Sequence, residues 1–557
     1  MLKFFKKRND KIEYVCLLLP LQNSQKATCI GHPVKFTPVK KNATRFGHPH
    51  QSTSNFGELG CSGLGWEVAD LFFSTPEKRS PWIVRKKNVP SSLIRIGNPQ
   101  KFCTRRSSLS INYGQPHPAT HPHLLKSDEV IPFTSKNEYV ERRHTFLKQM
   151  PLGSVAIFPS ALHCIMSSDI HYAYRQNSDF AYLCGFAEPE SVMVLEKKWS
   201  GEKISALFVK PRIPELELWE GACTGVERVC SNFGFDAAYS KSQLADILPS
   251  ILSAADFIAY NNIPNAFQKV FQSMLEPLRD RVINPQSIVQ RMRLIKSPSE
   301  LRLIERSCEN SARAFVQVMR TSKPLISEQE LDALIEFECR RRGCQRLAYC
   351  PVVASGLSCN TLHYIDNNRI VQDGDLILMD AGGEYFNYAS DITRTWPANG
   401  RFSPAQRQVY AAVLNVYKKC LEVAKPTAVL NGRSTTMSLF ELQKYAIECT
   451  KHELNALGIP QNGDLAVERF YPHMIGHYLG MDIHDVSLIG YNEPFAPGMV
   501  ITIEPGLYIP DDPDVPDRYR GIGVRIEDDI LITDNQPKVL TDLAPKETDQ
   551  IENLLRR

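Results

Sequence analysis

No Cys-x-x-Cys pair occurs anywhere in the 557 residues, and the 15 cysteines are scattered and odd in number. Zinc-ribbon and thioredoxin-type spacings are therefore excluded. Disulfide frameworks belong to small secreted domains, so a reducing compartment suits this chain better. Cys339, Cys344 and Cys350 lie close together, but their spacing fits no zinc pattern. They are expected to be ordinary buried thiols. Long apolar runs are also missing. The longest early one, residues 15–21, falls far short of the roughly 20 residues that span a bilayer, so no membrane partner is expected. Acidic residues are absent from 26–57. The first 126 residues hold 20 Lys and Arg against 6 Asp and Glu, so the net charge of +4 conceals an acidic remainder. That imbalance argues against a nucleic-acid surface on the folded part.

What remains has the average of a globular protein, 43% hydrophobic and 23% charged. Its length allows two or more domains. Residues 1–115 lack sustained periodicity and are rich in Lys, Arg, Ser, Pro and Gly. They read as a basic, disordered extension whose composition resembles an organelle-targeting leader. A mitochondrial location is therefore expected, with the cytoplasm as alternative. Residues 116–285 alternate buried strands, such as 154–158 and 206–209, with helical stretches such as 242–254. That pattern predicts an α/β domain.

Residues 286–557 carry the chemistry. Ser297-Pro298-Ser299-Glu300 and Ser403-Pro404-Ala405-Gln406 are capping boxes that open helices. Each helical region leads to the same apolar pattern. Gly374 lies six residues before Asp380, and Gly382 follows it by two. Gly498, Glu504 and Gly506 repeat that spacing. The domain therefore reads as a duplicated ααββ unit of the α+β class. Each copy holds a second acid, Asp391 in the first and Glu527 in the second. Between the copies lie His473, His477 and His484, within twelve residues. Carboxylates at the ends of buried strands are costly unless a cation pairs with them. Four such acids plus histidine suit a pair of divalent ions, Mn, Co, Zn or Fe. Two ions roughly 3.5–4 Å apart can clamp both sides of a displacement.

These residues carry a resemblance. Thr120-His121-Pro122-His123, Leu294-Ile-Lys-Ser297-Pro298, Asn360-Thr-Leu-His363-Tyr364 and Ser390-Asp-Ile-Thr-Arg-Thr-Trp-Pro397 take part in it. So do His473-x-x-Gly-His477, Ile503-Glu504-Pro-Gly506 and Gly523-Val-Arg-Ile-Glu527. Together they resemble the aminopeptidase P enzymes of the pita-bread metallopeptidases, nearest the mitochondrial type. The resemblance implies an aminopeptidase P N-terminal α/β domain before a pita-bread catalytic domain. It implies removal of the first residue from peptides with proline second, and two divalent ions, Mn2+ foremost. Asp380, Asp391, His477, Glu504 and Glu527 resemble the five metal ligands, with Asp391 and Glu527 bridging. His363 resembles the proton-shuttle histidine. His473 and His484 resemble the pair that steadies the substrate and the tetrahedral intermediate. Asp380 would hold the substrate amine, and Arg525 resembles the arginine beside the proline pocket.

A hydroxide bridging the metals would attack the first carbonyl with Glu504 as base. Gly383 stands where relatives often carry cysteine. A homodimer is expected. The alternatives are a prolidase-type dipeptidase and, further off, a pita-bread module that has lost catalysis and binds proteins.

Overall fold

Six consecutive residues, Ser154–Pro159, are all buried. A strand buried on both faces must lie inside a sheet covered on both sides. In the structure, a computed structural model, it does. The described residues are the strands Phe4–Arg8 and Lys11–Val15 and residues 114–556, apart from Asn431 and 461–466. Residues 1–98 form one unit, in which the first two strands make an antiparallel hairpin. Otherwise the expectation of a disordered basic leader lies outside the described residues.

The second unit begins at Pro99. Its first part is a six-stranded mixed sheet, in the order 237–240, 203–209, 192–197, 154–159, 257–260, 282–283. Side-chain alternation divides the sheet's two faces. Val155, Ile157 and Phe208 meet Leu248 and Phe271 on one side. Ala156, Phe158 and Leu207 face Phe146, Leu183 and Phe233 on the other. That second core continues without a break into the catalytic part. The helix expected over 242–254 is Leu244–Ser253, preceded by a single 3-10 turn.

The catalytic part repeats two helices and a hairpin. Helices Pro298–Thr321 and Glu328–Arg341 precede strands Leu376–Ala381 and Ile392–Pro397. Helices Pro404–Val423 and Leu439–Ala456 precede strands Val500–Ile503 and Asp528–Leu531. Both expected capping boxes are present, at Ser297 and Ser403. The two hairpins meet directly. The Glu527 amide donates to the Thr393 carbonyl at 3.0 Å, and the Arg525 amide donates to Thr395 Oγ1 at 3.2 Å.

Two glycine requirements of the repeat are physical. Gly374 and Gly498 both have left-handed backbones, φ +87° and +92°. A Cβ on Gly382 would lie 1.7 Å from the Ser390 carbonyl oxygen, so only glycine admits the close crossing beside Asp391. Among the cysteines, Cys339 and Cys344 are buried as expected, whereas Cys350 is exposed.

Candidate active site

Asp380 stands near the end of its strand, paired in register with Thr393, and Asp391 enters from the antiparallel partner. Glu504 leaves the end of Val500–Ile503, and Glu527 directly precedes Asp528–Leu531. The duplicated hairpins thus aim four carboxylates at one place. Asp391 and Glu527 are buried.

His477 completes a tight group. One ligand atom from each of Asp391, His477 and Glu527 lies within 4.8 Å of the others. The His477 Nε2 is 3.3 Å from Asp391 Oδ2 and 3.7 Å from Glu504 Oε1. Its Nδ1 is 3.1 Å from the Tyr478 carbonyl. A donor bond there turns Nε2 toward the acids, the orientation a metal-binding imidazole needs.

Asp380 and Glu504 stand at the edge of this group. Asp380 Oδ2 receives Arg525 Nη2 at 2.7 Å. The Tyr349 hydroxyl lies between the first pair of acids, 2.5 Å from Asp380 Oδ1 and bonded to Asp391 Oδ1 as well. One phenol proton cannot satisfy two ionised carboxylates.

Burial acts on all four acids. It raises Glu504 to about 7, with Asp391 adding to the shift and His477 opposing it. It raises Asp380 and carries Glu527 well above the carboxylate range. Asp391 goes the other way. Its burial is outweighed by hydrogen bonds from His477 and Tyr349, which hold it low. Against its own burial, His477 rises to about 9 through Asp391 and Glu504. Four acids, two buried and two half-buried, thus face two cations, Arg525 and His477. The donor set is short of positive charge and made of oxygen plus one imidazole. Divalent metal ions fit it.

The other expected residues surround this group. His473 is neutral, because burial and then Arg525 push it down to about 3. Its Nε2 is 2.9 Å from the Tyr508 hydroxyl, which receives Arg525 Nη1 at 2.9 Å. Arg525 Nε donates to Thr393 Oγ1 at 3.0 Å. Every donor-bearing nitrogen of this guanidinium therefore has a protein partner. His484 is exposed, with its ring centroid 4.5 Å from that of His477. His363 is exposed on the loop after the turn Gly356–Asn360, close enough to lower both His473 and His484.

Sequence reasoning missed Tyr349, Thr393, Tyr508 and Asp529. Thr393 Oγ1 donates to Glu527 Oε2 at 2.7 Å, and the Asp391 amide donates to Asp529 Oδ2 at 3.0 Å. Thr393 and Asp529 sat inside or beside the quoted motifs. Tyr349 carried no such signal. It reaches the site because Val352, three residues on, pairs with Asp380.

Comparison with known proteins gives the family. Residues 302–534 match metallopeptidase family M24, and residues 139–259 match the aminopeptidase P N-terminal domain. The chain is 40% identical to human Xaa-Pro aminopeptidase 3 over 466 residues, covering 79% of this chain and 90% of the human one. It is 39% identical to the Arabidopsis thaliana mitochondrial intermediate cleaving peptidase 55 over 447 residues, covering 79% and 87% of the two chains. The structure of Zn-substituted E. coli aminopeptidase P in complex with product superposes with a TM-score of 0.71 at 37% identity, covering 76% of this chain and 98% of that one. The protein belongs to the Xaa-Pro aminopeptidases of metallopeptidase family M24.

Proposed function

We propose that this protein is a metallo-aminopeptidase that removes the first residue from peptides with proline in second position. The observation that carries the reading is the convergence of four carboxylates and His477, short of positive charge, where the two hairpins meet. Asp380, Asp391, His477, Glu504 and Glu527 would hold two divalent ions, which we assign as Mn2+. When bound, the metals polarise the scissile carbonyl and ready a water for attack.

The side chains then divide the work. Glu504 Oε takes the proton from the attacking water. His484 donates to the oxygen of the carbonyl as charge develops there. The nitrogen of an X-Pro bond carries no hydrogen and leaves poorly unless protonated. His363, exposed at the rim, delivers that proton. Asp380 receives the free α-amine, which confines cleavage to the first bond. His473, held neutral with its Nδ1 2.9 Å from the Met474 carbonyl and its Nε2 on the Tyr508 hydroxyl, steadies the substrate side of the site through that pair. Arg525 is held by Asp380, Tyr508 and Thr393, one through each nitrogen, so it shapes the wall beside the proline ring.

A cleavage assay with added metal on Arg-Pro-Pro, a Gly-Pro dipeptide and a Met-initiated peptide tests the reading. Release of Arg from the tripeptide is expected. Cleavage of the dipeptide alone would assign a prolidase instead, and no cleavage at full metal occupancy would point to a protein-binding module.

Two further assignments accompany this function. We place the protein in mitochondria, on the basic composition of its first 115 residues and its relation to a mitochondrial peptidase. Sequencing the mature N-terminus from cells tests that. We also infer a homodimer through the N-terminal domain. Trp219 and Leu218 there are 85% and 82% exposed, and Ile165, Met166 and Ile170 are exposed as well. Exposed apolar side chains that lie together mark interaction surfaces, and the pairs Leu218–Trp219 and Ile165–Met166 are neighbours in sequence. Trp219→Glu should shift the molar mass in light scattering to that of a monomer.

A further inference from the structure

His484 has no hydrogen bond to its ring among the described residues, and it is exposed. Its place beside His477 is therefore set by the backbone that carries it. That backbone is strained. Val486 lies at φ +45°, a region that β-branched residues avoid, and such strain persists only where surrounding contacts hold it.

Within the repeat the Ala389 amide donates to the Gly480 carbonyl at 2.9 Å, and further contacts come from outside it. Asp482 and Asp485 flank His484, and both bond to the buried Arg293 of the helix Gln286–Leu294, at 2.8 Å for Asp482. Arg293 also donates to Asp179 of the N-terminal domain at 2.7 Å. Ser178 of the same domain donates to Asp482 at 2.5 Å. Arg175, beside it, spans the two halves of the site. Its Nη2 donates to the Met481 carbonyl at 2.6 Å, on the His484 loop. Its Nε donates to Glu384 Oε2 at 2.6 Å, on the hairpin between Asp380 and Asp391.

We infer that Arg175 is a positioning residue for the reaction: it fixes the loop of His484 against the hairpin of Asp380 and Asp391, so that the N-terminal domain completes the active site. The guanidinium fork suits this task, since two separate acceptors lie on two separate elements. A lysine at this position offers one nitrogen and cannot hold both in that geometry. The inference rests on the function proposed above for the role of His484. The placement of the loop itself does not depend on that function.

The test uses the full chain with Arg175→Ala, Arg175→Lys and His484→Ala. Hydrogen exchange is read first, because it needs no substrate. Amides of 479–486 should exchange at least about tenfold faster in Arg175→Ala, with the helices Pro298–Thr321 and Pro404–Val423 unchanged. In the cleavage assay, kcat/KM should fall by about 10- to 100-fold with bound metal unchanged, since small displacements of a positioned group cost that much. Arg175→Lys should recover only part of it. Added to His484→Ala, Arg175→Ala should cost little more, as both act through one side chain. Unchanged exchange in 479–486, or losses that add in full with His484→Ala, would overturn the inference. Faster exchange in an enzyme that cleaves no X-Pro peptide would instead count against the proposed function and leave the placement standing.

Discussion

At Gly383 the space available to one side chain is already taken. A Cβ there would lie 2.5 Å from Cys344 Sγ and 3.2 Å from Ser311 Oγ. The thiol of Cys344 fills the volume that a cysteine at 383 would need. Gly383→Cys should therefore cost about 1–3 kcal/mol in urea denaturation, as overpacking does, and Cys344→Ala in the same chain should return most of it. An unchanged midpoint for the single variant would show that the thiol moves aside freely. Asp391 poses a different question, because its neighbours supply charge. Asp391→Asn keeps the shape and should lower kcat/KM by at least about 100-fold while circular dichroism stays that of the parent. An active variant would remove Asp391 from the ligand set. The four acid positions were legible in the sequence, because a repeat with strand-end carboxylates has few physical explanations, whereas His477 was set apart from its two neighbouring histidines only by the family resemblance. Tyr349 was not legible. No local pattern distinguishes a phenol that meets two carboxylates from one in an ordinary loop.

At the scale of elements, end signals were the most reliable. Ser297 and Ser403 each receive the amide three residues on, and the helices begin where those serines foretold; Ser327 caps its helix in the same way. The helix Leu439–Ala456 follows a Ser438 cap that carries the same signal in Glu441, three residues on, without a proline. The strands Arg346–Leu347 and Val352–Ser355 escaped notice because two to four residues hold no periodicity to read. The repeat glycines give the element-scale prediction. Gly374→Ala and Gly498→Ala put a Cβ on left-handed backbone, and each should lose about 1 kcal/mol or more of stability. The two sites lie in separate copies of the repeat, so the double variant should lose the sum. A stabilised single variant, measured by its urea midpoint, would mean the turn had relaxed out of that conformation.

For the molecule as a whole, metal and folding are linked. Ions that bind only the folded state stabilise it by about 2.7 kcal/mol at 100 times their dissociation constant. Chelation should therefore lower the thermal midpoint. The metal-free protein should also respond to pH in a direction opposite to that of most salt-bridged carboxylates. Glu504, raised by burial from 4.5 to about 7, binds a proton in the folded state that it gives up when unfolded. Asp380 and Glu527 shift the same way. Their contribution is fully present below the unfolded pKa and is lost as pH rises through the folded one. Metal-free protein should thus melt at lower temperature at pH 7.5 than at pH 5, and bound metal should shrink that difference. Equal pH dependence with and without metal would remove the acid excess as its cause.

The sequence by itself determined the duplicated unit, its capped helices and the acids and histidines that meet between the copies. Spacing within each repeat is a local property, and buried charge at a strand end demands a partner whatever the fold around it. Only the tertiary structure decided which groups orient those residues. The partners of Asp380, Asp391 and the His484 loop are Arg525, Tyr349, Asp529, Arg293 and Arg175, some of them hundreds of residues away. The Arg175 contact depends on how the N-terminal domain packs on the catalytic part, the others on how elements of the catalytic part meet, and no window of sequence contains both sides.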